Sequence, residues 1–181
     1  MEGAAGKVIS RAINKTLKGV RTDVTSEIQS SVDLTKSFIQ KQTGKKTEQT
    51  FFLQNATAVY PKGVLTTRGA NVPLIQYSNQ RGSRQRYPKS IFVTVKKSRG
   101  KHKMRHVFVP NLRSGHRGLF VQLPKSAGTT VSGNRKIKQL FGSRIPDVLS
   151  NREVMERVEK KASERIDKNL SHELDYFFST L

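Results

Sequence analysis

The chain has 181 residues, enough for one domain with a core and short for two, and its 34% hydrophobic content is low for a compact globule, so part of it is expected to order only against a partner. It contains no Cys, which excludes disulfides and thiolate metal sites and fits a reducing compartment, and it has no apolar run of the roughly 18 residues that read as a membrane span. The formal net charge is +21, and nineteen Lys and Arg with no Asp or Glu fall within residues 49–146, while residues 147–181 hold six basic and eight acidic groups. A middle of that sign attracts polyanions or an acidic protein face, and it repels copies of itself until something neutralises it.

Residues 4–29 read as a helix. Ile9, Ile13, Leu17, Val20, Val24 and Ile28 recur at steps of four, four, three, four and four, which makes one apolar stripe. Lys7, Arg11, Lys15, Lys18 and Arg21 occupy the other faces, and the charge throughout residues 1–29 speaks against a secretory leader. Gly19 sits inside the stripe and weakens the helix by up to about 1 kcal/mol relative to Ala. Asp33 is placed to cap a short second helix carrying Leu34, Phe38 and Ile39, and residues 43–49 read as a polar loop.

From residue 50 the pattern changes to short β-like runs, at 50–60, 74–77, 90–97, 106–112 and 118–123, punctuated by Pro61, Pro73, Pro88, Pro110 and Pro124. Residues 96–105, too basic to bury, are expected to project as a flexible tip joining Ile91–Val95 to Val107–Val109. Arg113, Ser114, Gly115 and His116 form a tight turn into the next run, with Gly115 free to take positive φ. Mobile loops are expected at 78–90, 96–106 and 125–135.

The final helix spans residues 151–179. Ser150, Asn151, Arg152 and Glu153 fit a capping box, and Val154, Val158, Ala162, Ile166, Leu170, Leu174 and Phe177 follow at helical spacing. Its length, about 44 Å at 1.5 Å per residue, exceeds what a domain of this size needs. It either reaches a neighbouring subunit or lies along its own sheet. Glu153 with Arg157, Glu156 with Lys160, and Glu164 with Lys168 are in the favourable i,i+4 order.

The residues offer little catalytic chemistry. Of the four histidines, His102 and His106 are four apart in a β-like stretch, about 13 Å along a strand, too far to share a metal. No glycine-rich phosphate cradle is present, and no carboxylate cluster lies in the middle to hold Mg²⁺. The reading is therefore a non-enzyme with no cofactor and no metal. The candidate contact residues are Arg81, Arg84, Arg86, Lys96, Lys97, Arg99, Lys101, Lys103, Arg105, Arg113 and Arg117, suited to phosphates or an acidic partner without reading sequence. A ribosomal or nucleoid type of nucleic-acid-binding module is the alternative that composition supports.

Several segments together resemble the prophage minor tail protein Z family. They are Ser10-Arg11-Ala12-Ile13-Asn14-Lys15 in the first helix, Val72-Pro73-Leu74-Ile75-Gln76-Tyr77 as a central apolar strand, and Ser114-Gly115-His116-Arg117-Gly118-Leu119-Phe120-Val121 as a hairpin. They continue with the run from Ile137 to Pro146 and the long last helix with His172-Glu173-Leu174-Asp175. The resemblance covers roughly residues 4–178; residues 81–105 fall outside its motifs. It implies a tail-completion role at the head-proximal end of a long-tailed phage tail, in head-tail joining, with other tail or neck proteins as neighbours. It implies a homo-oligomeric ring, six copies by analogy with tail tubes, around a channel that carries DNA. The place implied is the virion tail, assembled in the host bacterial cytoplasm, with no membrane contact. The expected fold is α+β, one domain over 1–181, with a mostly antiparallel central sheet from the basic β-rich middle, residues 50–146, packed against the two long helices.

Overall fold

Two long helices dominate the first part of the architecture. In the computed structural model, which describes residues 2–40, 51–83, 88–110 and 112–180, α1 runs over Glu2–Ser31 and α4 over Arg152–Ser179. They pair antiparallel, and their polar seam fixes the register. Arg157 Nε donates to Glu27 Oε2 at 2.8 Å and Lys161 Nζ to Glu27 Oε1 at 2.7 Å. Arg165 holds Asp23 with two donors, at 3.0 and 2.9 Å, Asn169 donates to Thr16 at 2.9 Å, and Lys15 faces Glu173 at 3.7 Å. Gly19 explains itself here: a Cβ at that position would lie 2.6 Å from Arg165 Nε, so the missing side chain lets Arg165 cross to Asp23.

The strands β1 (Phe51–Gln54) and β2 (Val64–Thr67) form an antiparallel pair beside α1. The link between them is clamped to the helix by one amide: Asn14 Nδ2 donates to Ala56 O at 2.9 Å, and Ala56 N–H donates to Asn14 Oδ1 at 2.8 Å. A Cβ at Gly63 would meet Leu17 and Ile13 at 2.5 and 2.7 Å, so the strand rides directly on the apolar stripe. Val8, Ala12, Leu17, Val24 and Ile28 of α1 are buried, while Ile9 is 40% exposed. On α4 only Val154 and Val158 are buried; further along, Leu174 is 38% and Phe178 67% exposed.

By compactness the chain divides into two units, where the sequence reading took one domain over 1–181. Unit 1 comprises Met1–Ser30, Thr35–Gly69 and Ile145–Leu181; unit 2 comprises Ser31–Leu34 and Ala70–Arg144. Unit 2 contains β3 (Ile91–Val93), β4 (His102–Met104), β5 (Val107–Phe108), β6 (Phe120–Gln122) and β7 (Ile137–Gln139). Its core gathers Val72, Tyr77, Ile91, Val93, Val109 and Leu119, all buried. Tyr77 is the anchor: its hydroxyl donates to Ser143 O at 2.9 Å, and a Cβ on Gly142 would sit 2.5 Å from its ring. The α+β class holds, with long terminal helices and antiparallel sheets; among the described residues the strands divide into three sheets, β1-β2, β3-β4 and β5-β6-β7.

Several local expectations are corrected. Leu74–Tyr77 is a 3₁₀ turn, not a strand. A short apolar run reads alike in either state, and burying Leu74, Ile75 and Tyr77 together needs a helical turn rather than alternation. Thr35, not Asp33, caps α2 (Lys36–Gln40): its Oγ1 accepts from Phe38 N–H at 3.3 Å and its carbonyl from Ile39 N–H at 3.1 Å. Asn151, not Ser150, caps α4, accepting from Glu153 N–H at 3.0 Å, whereas Ser150 closes the short α3 (Ile145–Leu149), its Oγ donating back to Pro146 O at 3.0 Å. Arg157 serves Glu27 across the seam. The basic tip holds β4 inside it, and Val107–Phe108 pairs with β6 instead of β3. Segment 125–135 is closed by backbone bonds, with Thr129 bridging Arg135 and Thr130 N–H donating to Asn134 O at 2.8 Å. The turn at Gly115 forms as expected, with φ +71. The loop at 43–49 lies outside the described residues.

Candidate functional site

The charge asymmetry maps onto the two units. Unit 2 contains seventeen Lys and Arg against a single carboxylate, Asp33, a formal excess of sixteen. Unit 1 contains seventeen against twelve. Counted this way, most of the +21 belongs to one folded body rather than to a run of sequence.

The β3-β4 hairpin presents the densest part of that charge. Ile91 and Val93 point into the core, so the alternation along the strand turns Phe92 outward, where it is 37% exposed. Register pairs Phe92 with Lys103 across the sheet. The hairpin is fastened on its other edge, where Asn79 N–H donates to Phe92 O at 3.0 Å and Thr94 N–H donates to Tyr77 O at 2.8 Å. Beyond β3 the chain bridges Val32 to Lys96, makes a 3₁₀ turn over Lys97–Arg99, and reverses at Gly100 with φ +69. Lys96, Lys97, Arg99, Lys101, Lys103 and Arg105 are all exposed on it. These six sequence-predicted residues are therefore brought together on a structured hairpin. At physiological salt, screening acts over about 8 Å, so neighbouring exposed cations on such a hairpin still feel one another.

The other predicted residues separate from this group. Arg81 turns inward, its Nη2 donating to the carbonyl of Asp33 and, at 3.3 Å, to Asp33 Oδ2; its side chain is 23% exposed. It belongs to the frame of the unit rather than to its outer face. Arg113, exposed, and Arg117, half-buried, sit on the connection from β5 to β6, in a different sheet. Arg84 and Arg86 lie outside the described residues. Sequence reasoning passed over Lys125, Arg135, Lys136 and Lys138, which are exposed along the β6-β7 hairpin. Their signal was present in the acid-free composition but was masked by the glycine-, serine- and threonine-rich context.

Beside the hairpin lies an open cleft of about 510 Å³, lined among others by Asp33, Tyr77, Asn79, Arg81, Phe92 and Lys101. Burial pushes the Tyr77 phenol up to about 12, with the nearby Arg81 pulling the other way. A phenol held neutral and bonded to a backbone carbonyl is a structural group here. Asn79 is likewise occupied, donating to Ser90 O at 3.2 Å and accepting from Phe92 N–H at 3.0 Å.

Among the described residues, no group of three or more His, Asp or Glu is placed to hold a metal ion, and no helix is long and apolar enough to cross a membrane. His102 and His106 are exposed, His106 in a left-handed conformation with φ 59 beyond the end of β4. His116 bonds Gln139 Oε1 at 3.1 Å and meets Phe120 edge-on at 6.5 Å. The exposed cations of the hairpin are a source of positive field suited to phosphate or carboxylate groups, and nothing in their arrangement reads base edges. Comparison with protein-family models, with curated proteins and with solved structures gives no match for this chain.

Proposed function

We propose that this chain is a non-enzymatic structural subunit of a tailed-phage virion, a minor tail or tail-completion protein acting in tail assembly and head-tail joining. The observation that carries the reading is the concentration of cationic charge on unit 2, set against a long helix pair that leaves apolar side chains uncovered in unit 1. A protein arranged this way gains stability by packing into an assembly, where an acidic neighbour or DNA neutralises its charge. The sequence resemblance to the minor tail protein Z family supplies the setting: the head-proximal end of the tail, beside other tail or neck proteins, in a ring of six around the DNA channel. The place is the virion tail, after assembly in the host cytoplasm.

The decisive experiment is positional. Phage lacking this protein are expected to accumulate filled heads and separate tails by electron microscopy, and restored supply of the protein is expected to join them. Normal joined virions in its absence would overturn the reading. The exposed cations of the β3-β4 hairpin also favour a second reading, a nucleic-acid-binding module. Tight binding to mixed DNA and RNA near physiological salt, with no affinity for tail components, would decide for that alternative.

A further inference from the structure

The seam between α1 and α4 sorts the charges of α4 by side. Arg157, Lys161 and Arg165 are drawn to Glu27 and Asp23, and Glu173 to Lys15. Apart from Arg157 and Lys161, which are exposed but bound into the seam, α4 leaves exposed six carboxylates, Glu153, Glu156, Glu159, Glu164, Asp167 and Asp175, against three cations, Arg152, which bonds Glu156 at 2.7 Å, Lys160 and Lys168. In a chain of +21, the folded structure thus leaves one net acidic helix face. Its end is apolar. Glu156, Asp167, Leu174 and Phe178 follow at intervals of eleven, seven and four, which keeps them on one stripe at 100° per residue. Leu174 and Phe178 are 38% and 67% exposed there.

The β3-β4 hairpin of unit 2 is the complement of that stripe. It offers exposed Lys97, Arg99, Lys101 and Lys103 around a partly exposed aromatic side chain, Phe92. We propose that the outward face of α4 docks on the β3-β4 hairpin of a second copy of this chain. Like-with-like pairing is disfavoured, because hairpin against hairpin would bring two clusters of six cations together. Acidic face against basic hairpin is the mode in which the carboxylates neutralise the lysines while Leu174 and Phe178 cover Phe92. Such a contact uses two different patches, so each copy keeps one of each free, and the contact propagates head to tail until a rotation closes it into a ring. This inference rests on the self-assembly part of the proposed function and names the surfaces that make it.

The test is a charge exchange on the full chain. One variant reverses the helix face (Glu156→Lys, Glu159→Lys, Asp167→Lys); another reverses the hairpin (Lys97→Glu, Lys101→Glu, Lys103→Glu). Mass is read by light scattering on size exclusion and by sedimentation. Wild type is expected to associate, each variant alone to associate about tenfold more weakly or not at all, and the equimolar mixture to recover, since each reversed surface then finds its complement. Recovery in the mixture also shows that both variants are folded. If wild type associates and both variants match it, this inference is wrong while self-assembly stands. If wild type stays a monomer at its highest soluble concentration, both fall. If the hairpin variant loses only duplex DNA binding and associates normally, nucleic acid rather than a second copy occupies the hairpin.

Discussion

Glu27 joins the two long helices at one point, and replacing it with Gln tests the account of the seam. Its carboxylate is 9% exposed and accepts from Arg157 at 2.8 Å and Lys161 at 2.7 Å. The hydrogen bonds from Lys161 and then Arg157 hold the carboxyl below its ordinary 4.5, against the opposing effect of burial. Gln keeps the shape, removes the charge, and turns an amide donor toward at least one cation. A buried charge-assisted pair of bonds is worth several kcal/mol in isolation, but Arg157 and Lys161 are 47% and 45% exposed and return to water when released. The expected cost of Glu27→Gln is therefore about 2 kcal/mol, or a fall of roughly 4–8 °C in Tm for a chain of this size. Urea melts followed by helical circular dichroism give the number. The sign with pH follows from the lowered carboxyl: the wild-type advantage is complete above the unfolded value near 4.5 and disappears as pH falls through the lower folded value. Below that, wild type is protonated too and the two proteins converge. A variant within about 0.5 kcal/mol of wild type at pH 7 would refute the seam as a source of stability.

Three further outcomes are expected. Asn151→Ala removes the cap of α4 and costs about 1 kcal/mol in a urea melt, whereas Ser150→Ala costs clearly less; the reverse order would restore Ser150 as the cap. Tyr77→Phe loses the bond to Ser143 O, about 1 kcal/mol at neutral pH. Because burial raises that phenol from 10 to about 12, its contribution is complete below pH 10 and is lost as pH rises toward 12, so the wild type loses stability there and Tyr77→Phe stays comparatively flat in alkaline melts. Gly142→Ala drives a methyl into the buried Tyr77 ring and lowers Tm by more than Tyr77→Phe does; an unchanged Tm would show that the ring can move aside.

The long helices were legible because their signal is periodic and local. A stripe sustained from Ile9 to Ile28, or from Val154 to Phe177, admits one secondary structure, and α1 and α4 form where the spacing puts them. The acid-free middle was legible too, since counting needs no fold. Short elements were not. Leu74–Tyr77 carries no period long enough to separate a strand from a buried turn, and β2 and β7 are only four and three residues long. The caps were misplaced by one or two residues: Ser150 closes α3 onto Pro146 O and Asp33 pairs with Arg81, contacts that adjacent sequence does not reveal.

Composition determined that this protein carries a strong positive field, and the spacing of its apolar residues determined two long amphipathic helices. Only the tertiary structure decided what those charges are for. Arg157 looks in sequence like the partner of Glu153 on its own helix, yet it serves Glu27 across the seam, joined there by Lys161, while Arg165 serves Asp23, so α4 turns an acidic face outward. Arg81 looks like one more surface cation, yet it bonds the lone carboxylate of its unit. The physical reason is the same in both cases. Sequence fixes how many charges there are and their spacing along the chain, whereas ion pairing depends on distances through space, and those exist only once the helices and strands have packed.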